Sequence, residues 1–280
     1  MAEDELTVRS AEFPNGATPL GSDLYYAIRF APPALRNDLA LLAALRQRIF
    51  RIPGECSEPA VALKKAHWWR EELNRVADAR PSHPLTRQLA TLMTRYPLPV
   101  SPLLQIVDAI ILEIEHAPFE NAETLAGYCW NDMGVLCELF VRLHPGTPDA
   151  CLIEDAHRLG VFIGMSKIIQ DTGALLRSGR HLIPRNLLKH GVQNGAPMET
   201  AEANMVAAAA AQLADWNESK YPQISKSPDR RLLPALVLAK IAKATLREIR
   251  KDGVQVTKER LSLTPLHKLW LSWWLARGMG

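Results

Sequence analysis

Residues 164–184 of this 280-residue chain read GMSKIIQDTGALLRSGRHLIP. The stretch closes a helix expected over 151–176 and runs on into Gly179, Arg180, Leu182 and Pro184. Asp171 and Leu175 stand four residues apart, so they share one helix face at roughly 5–6 Å. Two aspartates at that spacing grip metal ions together. One carboxylate and one leucine cannot, and they read as a turn that is partly polar and partly core-facing. A lone aspartate beside a loop is more often solvated or helix-capping than a ligand, so the structural reading of Asp171 is preferred.

Outward from that stretch the pattern is helix after helix. Apolar spacing of three and four predicts helices over 24–51 (interrupted at Pro32 and Pro33), 60–79, 84–96, 102–116, 121–143, 199–216, 232–251 and 265–277. The 199–216 segment is rich in alanine, the best intrinsic helix former. Pro and Gly fall at the boundaries, where helix stop signals belong. There is no strand alternation and no internal repeat. The expectation is an all-α chain of about eight to ten helices.

Hydrophobic residues make up 48% and charged residues 22%, an ordinary globular balance. A net charge of +3 falls far short of a nucleic-acid footprint, and no nucleic-acid partner is expected. No apolar run reaches the ~18–20 residues of a membrane span. The opening MAEDELTVRSAEF is acidic and polar, unlike a secretory signal. Cys56, Cys129, Cys137 and Cys151 lack metal-site spacing and fit a reducing, cytoplasmic setting. Nucleotide-loop and nucleophile-elbow glycine patterns are missing, and Gly191 and Gly195 sit in a polar loop without meaning for membranes.

Several stretches, in order, resemble the squalene/phytoene synthase family from about Ser22 to Val256. They are ALRNDLALLAALR (34–46), SEPAVALKKAHWWREEL (57–73), ILEIEHAPFENAETLAGYCWNDMGVL (111–136) and the 164–184 stretch. In that family the last stretch carries Gln-x-x-Asn-x-x-Arg-Asp-x-x-x-Asp, followed by Gly-Arg-x-Tyr-x-Pro. Here Gly164, Lys167, Gln170 and Leu175 replace the Gln, Asn, Arg and second Asp; Asp171 is kept. The family's first acidic motif maps to LRQRIFRIP (45–53), with Phe50 and Arg51 at the paired acids. No Asp or Glu lies between Asp38 and Glu55. Trp68–Trp69–Arg70, with the missing acids, resembles the branch holding a mitochondrial complex I assembly factor.

The resemblance implies an all-α, isoprenoid synthase-like bundle around a central cavity, with residues 1–21 an extension and 22–280 the domain. It implies a protein without prenyl transfer that binds a prenyl-type lipid or a partner protein in respiratory-complex or quinone-related maturation. No cofactor is then required. The alternative is an active transferase joining farnesyl or geranylgeranyl diphosphates, with Mg²⁺ held by Asp171 and a further, unidentified residue. Candidate binding residues are Arg46, Arg51, Tyr128, Met165, Ile168, Asp171 and Arg180, and no metal ligand set is expected.

Each candidate has a plainer reading. Arg46, Arg48 and Arg51 suit phosphate as bidentate donors, but a solvated helix face is preferred. Tyr128 and Trp130 either line an apolar pocket or fill it. Trp68 and Trp69 read as interhelix core. Glu113, Glu115 and His116 have poor geometry for a shared metal, and capping and surface pairing explain them better. Leu266, Leu269, Trp270, Trp273 and Trp274 form a stripe with His267, Lys268 and Arg277 around it. That stripe reads first as cover for the core, with a peripheral meeting with a membrane surface as the alternative.

Overall fold

The computed structural model describes residues 12–188, 198–220, 228–252, 256–258 and 260–279; residues 1–11, Gly191 and Gly195 lie outside them. The described residues hold α-helices, short 3₁₀ turns and one π-turn, with no strand among them. The helices are α1 (Asp23–Arg29), α2 (Arg36–Phe50), α3 (Ile52–Glu55), α4 (Pro59–Ala77), α5 (Pro84–Arg95), α6 (Val100–His116) and α7 (Ala122–Cys129). After the π-turn Trp130–Gly134 come α8 (Val135–Arg142), α9 (Ala150–Gln170), α10 (Thr172–Arg177), α11 (Arg185–Leu188), α12 (Met198–Lys220), α13 (Leu233–Asp252) and α14 (Pro265–Gly278). Pro32 and Pro33 divide α1 from α2, as Pro should. Two helices expected to be continuous are broken: 121–143 by the π-turn, and 151–176 at Asp171.

α9 is the central helix. It packs on the π-turn, α7, α8, α12 and α13, and residues 159–166 are buried without interruption. A helix apolar all round belongs in the middle of a bundle. Asp149 caps its start, accepting from the Leu152 N–H. Gly160 brings α9 onto the π-turn backbone: a Cβ there would lie 2.3 Å from Gly134 Cα and 2.6 Å from the Met133 carbonyl oxygen. Alanine favours a helix over glycine by only ~1 kcal/mol, whereas overpacking against backbone costs ~1–3 kcal/mol or more. The clash therefore decides the sign. Gly160→Ala is expected to destabilise, read as a lower denaturant midpoint; an unchanged or higher midpoint would show that the π-turn yields freely.

Trp68 and Trp69 separate in the structure. Trp69 is buried in the core, while Trp68 is 40% exposed and stands edge-on to His83 at 6.0 Å between ring centres. The corner joining α4 to α5 is organised by Glu72, which is fully buried. Its carboxylate accepts from the backbone N–H groups of Ser82 and His83, the hydroxyls of Ser82 and Thr86, and the Arg75 guanidinium. Burial works to raise the Glu72 pKa, but these donors lower it from 4.5 to about 2. No helix among the described residues is long and apolar enough to cross a membrane.

Candidate functional site

A cavity of about 580 Å³ opens between α1, α2, the π-turn, α9, α13 and α14. Small-molecule pockets fall at ~300–1,000 Å³. Its apolar wall includes Phe50 from α2, Met133 from the π-turn, Ile163 and Ile168 from α9, and Leu238 and Ala242 from α13. Gly164 leaves room on the α9 side: a Cβ there would meet Cys129 Sγ at 3.1 Å.

Three carboxylates, Asp23, Asp132 and Asp171, and four cations, Arg46, Lys167, Arg260 and Lys268, line the same cavity. Every carboxylate is taken. Arg46 donates to both oxygens of Asp132, Nε to Oδ1 at 2.8 Å. Lys268 Nζ lies 2.7 Å from Asp23 Oδ1, and Lys167 Nζ 3.2 Å from Asp23 Oδ2. Arg260 pairs with Asp171, which is also 3.9 Å from Lys167 Nζ. Burial works to raise the Asp23 carboxyl, yet Lys167 and Lys268 more than offset it, and the group titrates below its usual range. Likewise burial works against the Arg46 charge, but Asp132 holds it protonated more firmly than usual.

Behind the Phe50 wall lies a second buried pair. Arg180 donates to both oxygens of Glu113, at 2.6 and 2.7 Å, and the Tyr128 hydroxyl donates to Glu113 at 2.7 Å. Burial first, and the Glu113 charge second, push the Tyr128 hydroxyl well above its ordinary pKa. The guanidiniums of Arg180 and Arg46 both pack on the Phe50 ring, 4.2 and 4.6 Å from its centre.

The structure brings Arg46, Tyr128, Ile168 and Asp171 together at the cavity. Arg180 stands behind it through Phe50. Arg51 does not reach the site: it is exposed on the outer face, 2.9 Å from Glu55. Met165 is fully buried core, because α9 turns that face toward its packing neighbours. Two preferred readings are corrected. Arg46 belongs to no solvated face, since α2 packs that side inward and Asp132 meets it. Glu113 is 3% exposed and holds the buried pair, while Glu115 and His116 alone form a surface pair at 3.9 Å.

Asp23, Asp132, Arg260 and Lys268 escaped the sequence reading. Asp132, a carboxylate four residues beyond Tyr128 in an apolar stretch, carried a usable signal. Lys268 carried none, as it sits in a stripe of Trp and Leu. Arg260 is placed by tertiary contacts: Gly173 N–H bonds to Val256 O at 3.0 Å, and Gln170 donates to Leu261 O.

Magnesium usually takes one or two carboxylates plus substrate oxygens in near-octahedral array. The side chains present do not fit it. Phe50 and Leu175, which the resemblance sets at two of the family's acid positions, line the cavity as apolar groups. Each remaining carboxylate already faces a Lys or Arg, and no group of three or more His, Cys, Asp or Glu suited to a metal occurs among the described residues.

The profile of the family described as squalene/phytoene synthase matches residues 18–267. The phytoene synthase of Mycobacterium bovis is 24% identical over 254 residues, covering 88% of this chain and 83% of that protein. The presqualene diphosphate synthase of Sinorhizobium fredii is 25% identical over 260 residues, covering 90% and 92%. Among solved structures, a dehydrosqualene synthase in complex with ligand superposes with a TM-score of 0.69 at 16% identity, covering 99% and 98%. A squalene synthase from Alicyclobacillus acidocaldarius gives 0.61 at 19% identity, covering 81% and 88%. These structures share the all-α isoprenoid synthase-like fold.

Proposed function

Because this chain belongs to the squalene/phytoene synthase family, we propose that its cavity holds a prenyl-type lipid by an anionic end, without ionising it on a metal. One observation carries this reading: each of the three cavity carboxylates is paired with a Lys or Arg, and the four cations exceed them by one. An excess of positive charge in a half-closed apolar cavity suits a diphosphate or phosphate joined to a hydrocarbon chain. Lys and Arg then do electrostatically what magnesium does elsewhere, and do it without the Lewis acidity that helps a leaving group depart.

The test is titration of the full chain with farnesyl and geranylgeranyl diphosphate, by calorimetry, with Mg²⁺ or with EDTA. Affinity is expected to be the same in both, with no hydrocarbon product. Arg260 is half exposed, so Arg260→Ala leaves the fold intact and is expected to weaken binding about tenfold, as a lost charge-assisted bond should.

A second reading is an active prenyl-diphosphate transferase. Asp171, kept at the cavity wall, and the names of the relatives over most of their length favour it. Its signature in the same experiment is Mg²⁺-dependent product that disappears in Asp171→Asn. Such product would overturn the first reading. The narrower resemblance to an assembly factor rests on Trp68–Trp69–Arg70 and the lost acids alone.

A further inference from the structure

α14 has two unlike faces. Lys268, Leu271 and Ser272 are buried against the bundle. Leu266, Leu269, Trp270, Trp273 and Trp274 point outward, with exposures of 78, 38, 57, 46 and 55%. At 3.6 residues per turn these five, with Arg277, fall within about 140° of one helix face. Three half-exposed tryptophans on one face are neither core nor the scattered apolar residues of an ordinary surface.

The surroundings of that face are basic. A groove of about 390 Å³ between α13 and α14 is lined by Lys240, Lys243 and Arg247 on one side and by His267, Trp270 and Trp274 on the other, with Glu248 its one acid. Lys240 Nζ sits 5.5 Å from the Trp274 ring centre, and the Arg277 guanidinium 5.3 Å from that of Trp273. Cations beside indole rings, at the rim of an apolar stripe, are what a boundary between water, phosphate headgroups and acyl chains selects.

We propose that this α13–α14 face docks on an anionic phospholipid surface, with the tryptophans at the acyl boundary and Lys240, Lys243 and Arg247 on headgroup phosphates. The charge pattern decides against an uncharged apolar partner. The inserting face is too short and one-sided to span a bilayer, so the contact is peripheral and reversible. Docking does not depend on what the cavity holds. It does set the cavity one helix from the lipid, because Leu238, Ala242 and Thr245 on the other face of α13 line that cavity.

The test is sedimentation of the full chain with vesicles of phosphatidylcholine alone and of phosphatidylcholine mixed with phosphatidylglycerol. Binding to the mixed vesicles is expected, and weaker binding at ~1 M than at ~0.1 M salt, where charges are screened over ~3 and ~10 Å. The triple variant Trp270→Ser/Trp273→Ser/Trp274→Ser should lose roughly tenfold per tryptophan. Lys240→Gln/Lys243→Gln/Arg247→Gln should lose roughly fivefold per charge, together with the salt dependence. Nitroxide-labelled lipid should quench the tryptophans of the unaltered protein, which tests insertion without any substitution. No binding to the mixed vesicles would overturn the proposal, as expected if the face receives an acidic protein instead. Undiminished binding by both variants, or lipid binding without quenching, would overturn it equally.

Discussion

Arg180→Ala is expected to destabilise the fold by ~3–5 kcal/mol, the cost of leaving a buried partner charge uncompensated. Arg180 and Glu113 are each under a tenth exposed, and the guanidinium supplies two of the three hydrogen bonds to that carboxylate. The Tyr128 hydroxyl is left as the remaining donor. Packing of the guanidinium on Phe50 is lost as well. At roughly 2–4 °C per kcal/mol for a domain of this size, the melting temperature should fall by ten degrees or so. Removing both charges in Arg180→Met/Glu113→Gln, which keeps an acceptor for the Tyr128 hydroxyl, should recover most of that loss, because it leaves no buried charge uncompensated. If the single variant loses less than about 1 kcal/mol, Glu113 is not as dry as its burial indicates.

The second large effect is on acid stability. Glu72 titrates at about 2 in the fold against 4.5 when free. A depressed carboxyl adds stability that is fully present above pH 4.5 and is lost as pH falls toward 2. The amount is at most on the order of 3 kcal/mol. Unfolding by urea between pH 7 and pH 2 should therefore show Glu72→Gln well below the unaltered protein near neutrality. The gap should close as pH drops through that window. A gap that stays constant with pH would locate the effect in shape rather than charge, and would sink the titration argument.

Most of the helices were legible because their causes are local. Pro59, Pro84 and Pro265 open α4, α5 and α14, and apolar spacing carries each to within a few residues of its end. The breaks at Trp130–Gly134 and Asp171 were hidden, because nothing local demands them. The π-turn accompanies the Gly134–Gly160 approach, a contact between positions 26 apart in sequence. The cavity was legible only through family resemblance. Arg46 and Asp171 were named among its charges, but their partners were not, because Arg46 with Asp132 and Asp171 with Arg260 pair across 86 and 89 positions. An arginine bound for a buried carboxylate looks, in sequence, like one bound for water.

Phe50, packed under two guanidiniums, bears on whether a further carboxylate could be seated at this site. Phe50→Asp would place an acid where the resemblance sets the family's first acidic motif. The new carboxylate would arrive beside Arg46 and Arg180, and an ion pair would claim it before a metal did. Clearing those arginines first would strand Asp132 and Glu113, each already neutralised by one of them. Any route made of single substitutions thus passes through a poorly stable protein or a carboxylate already occupied. The barrier to seating a free carboxylate here lies in foldability, so an engineer seeking one would have to exchange both arginines and their partners in one step.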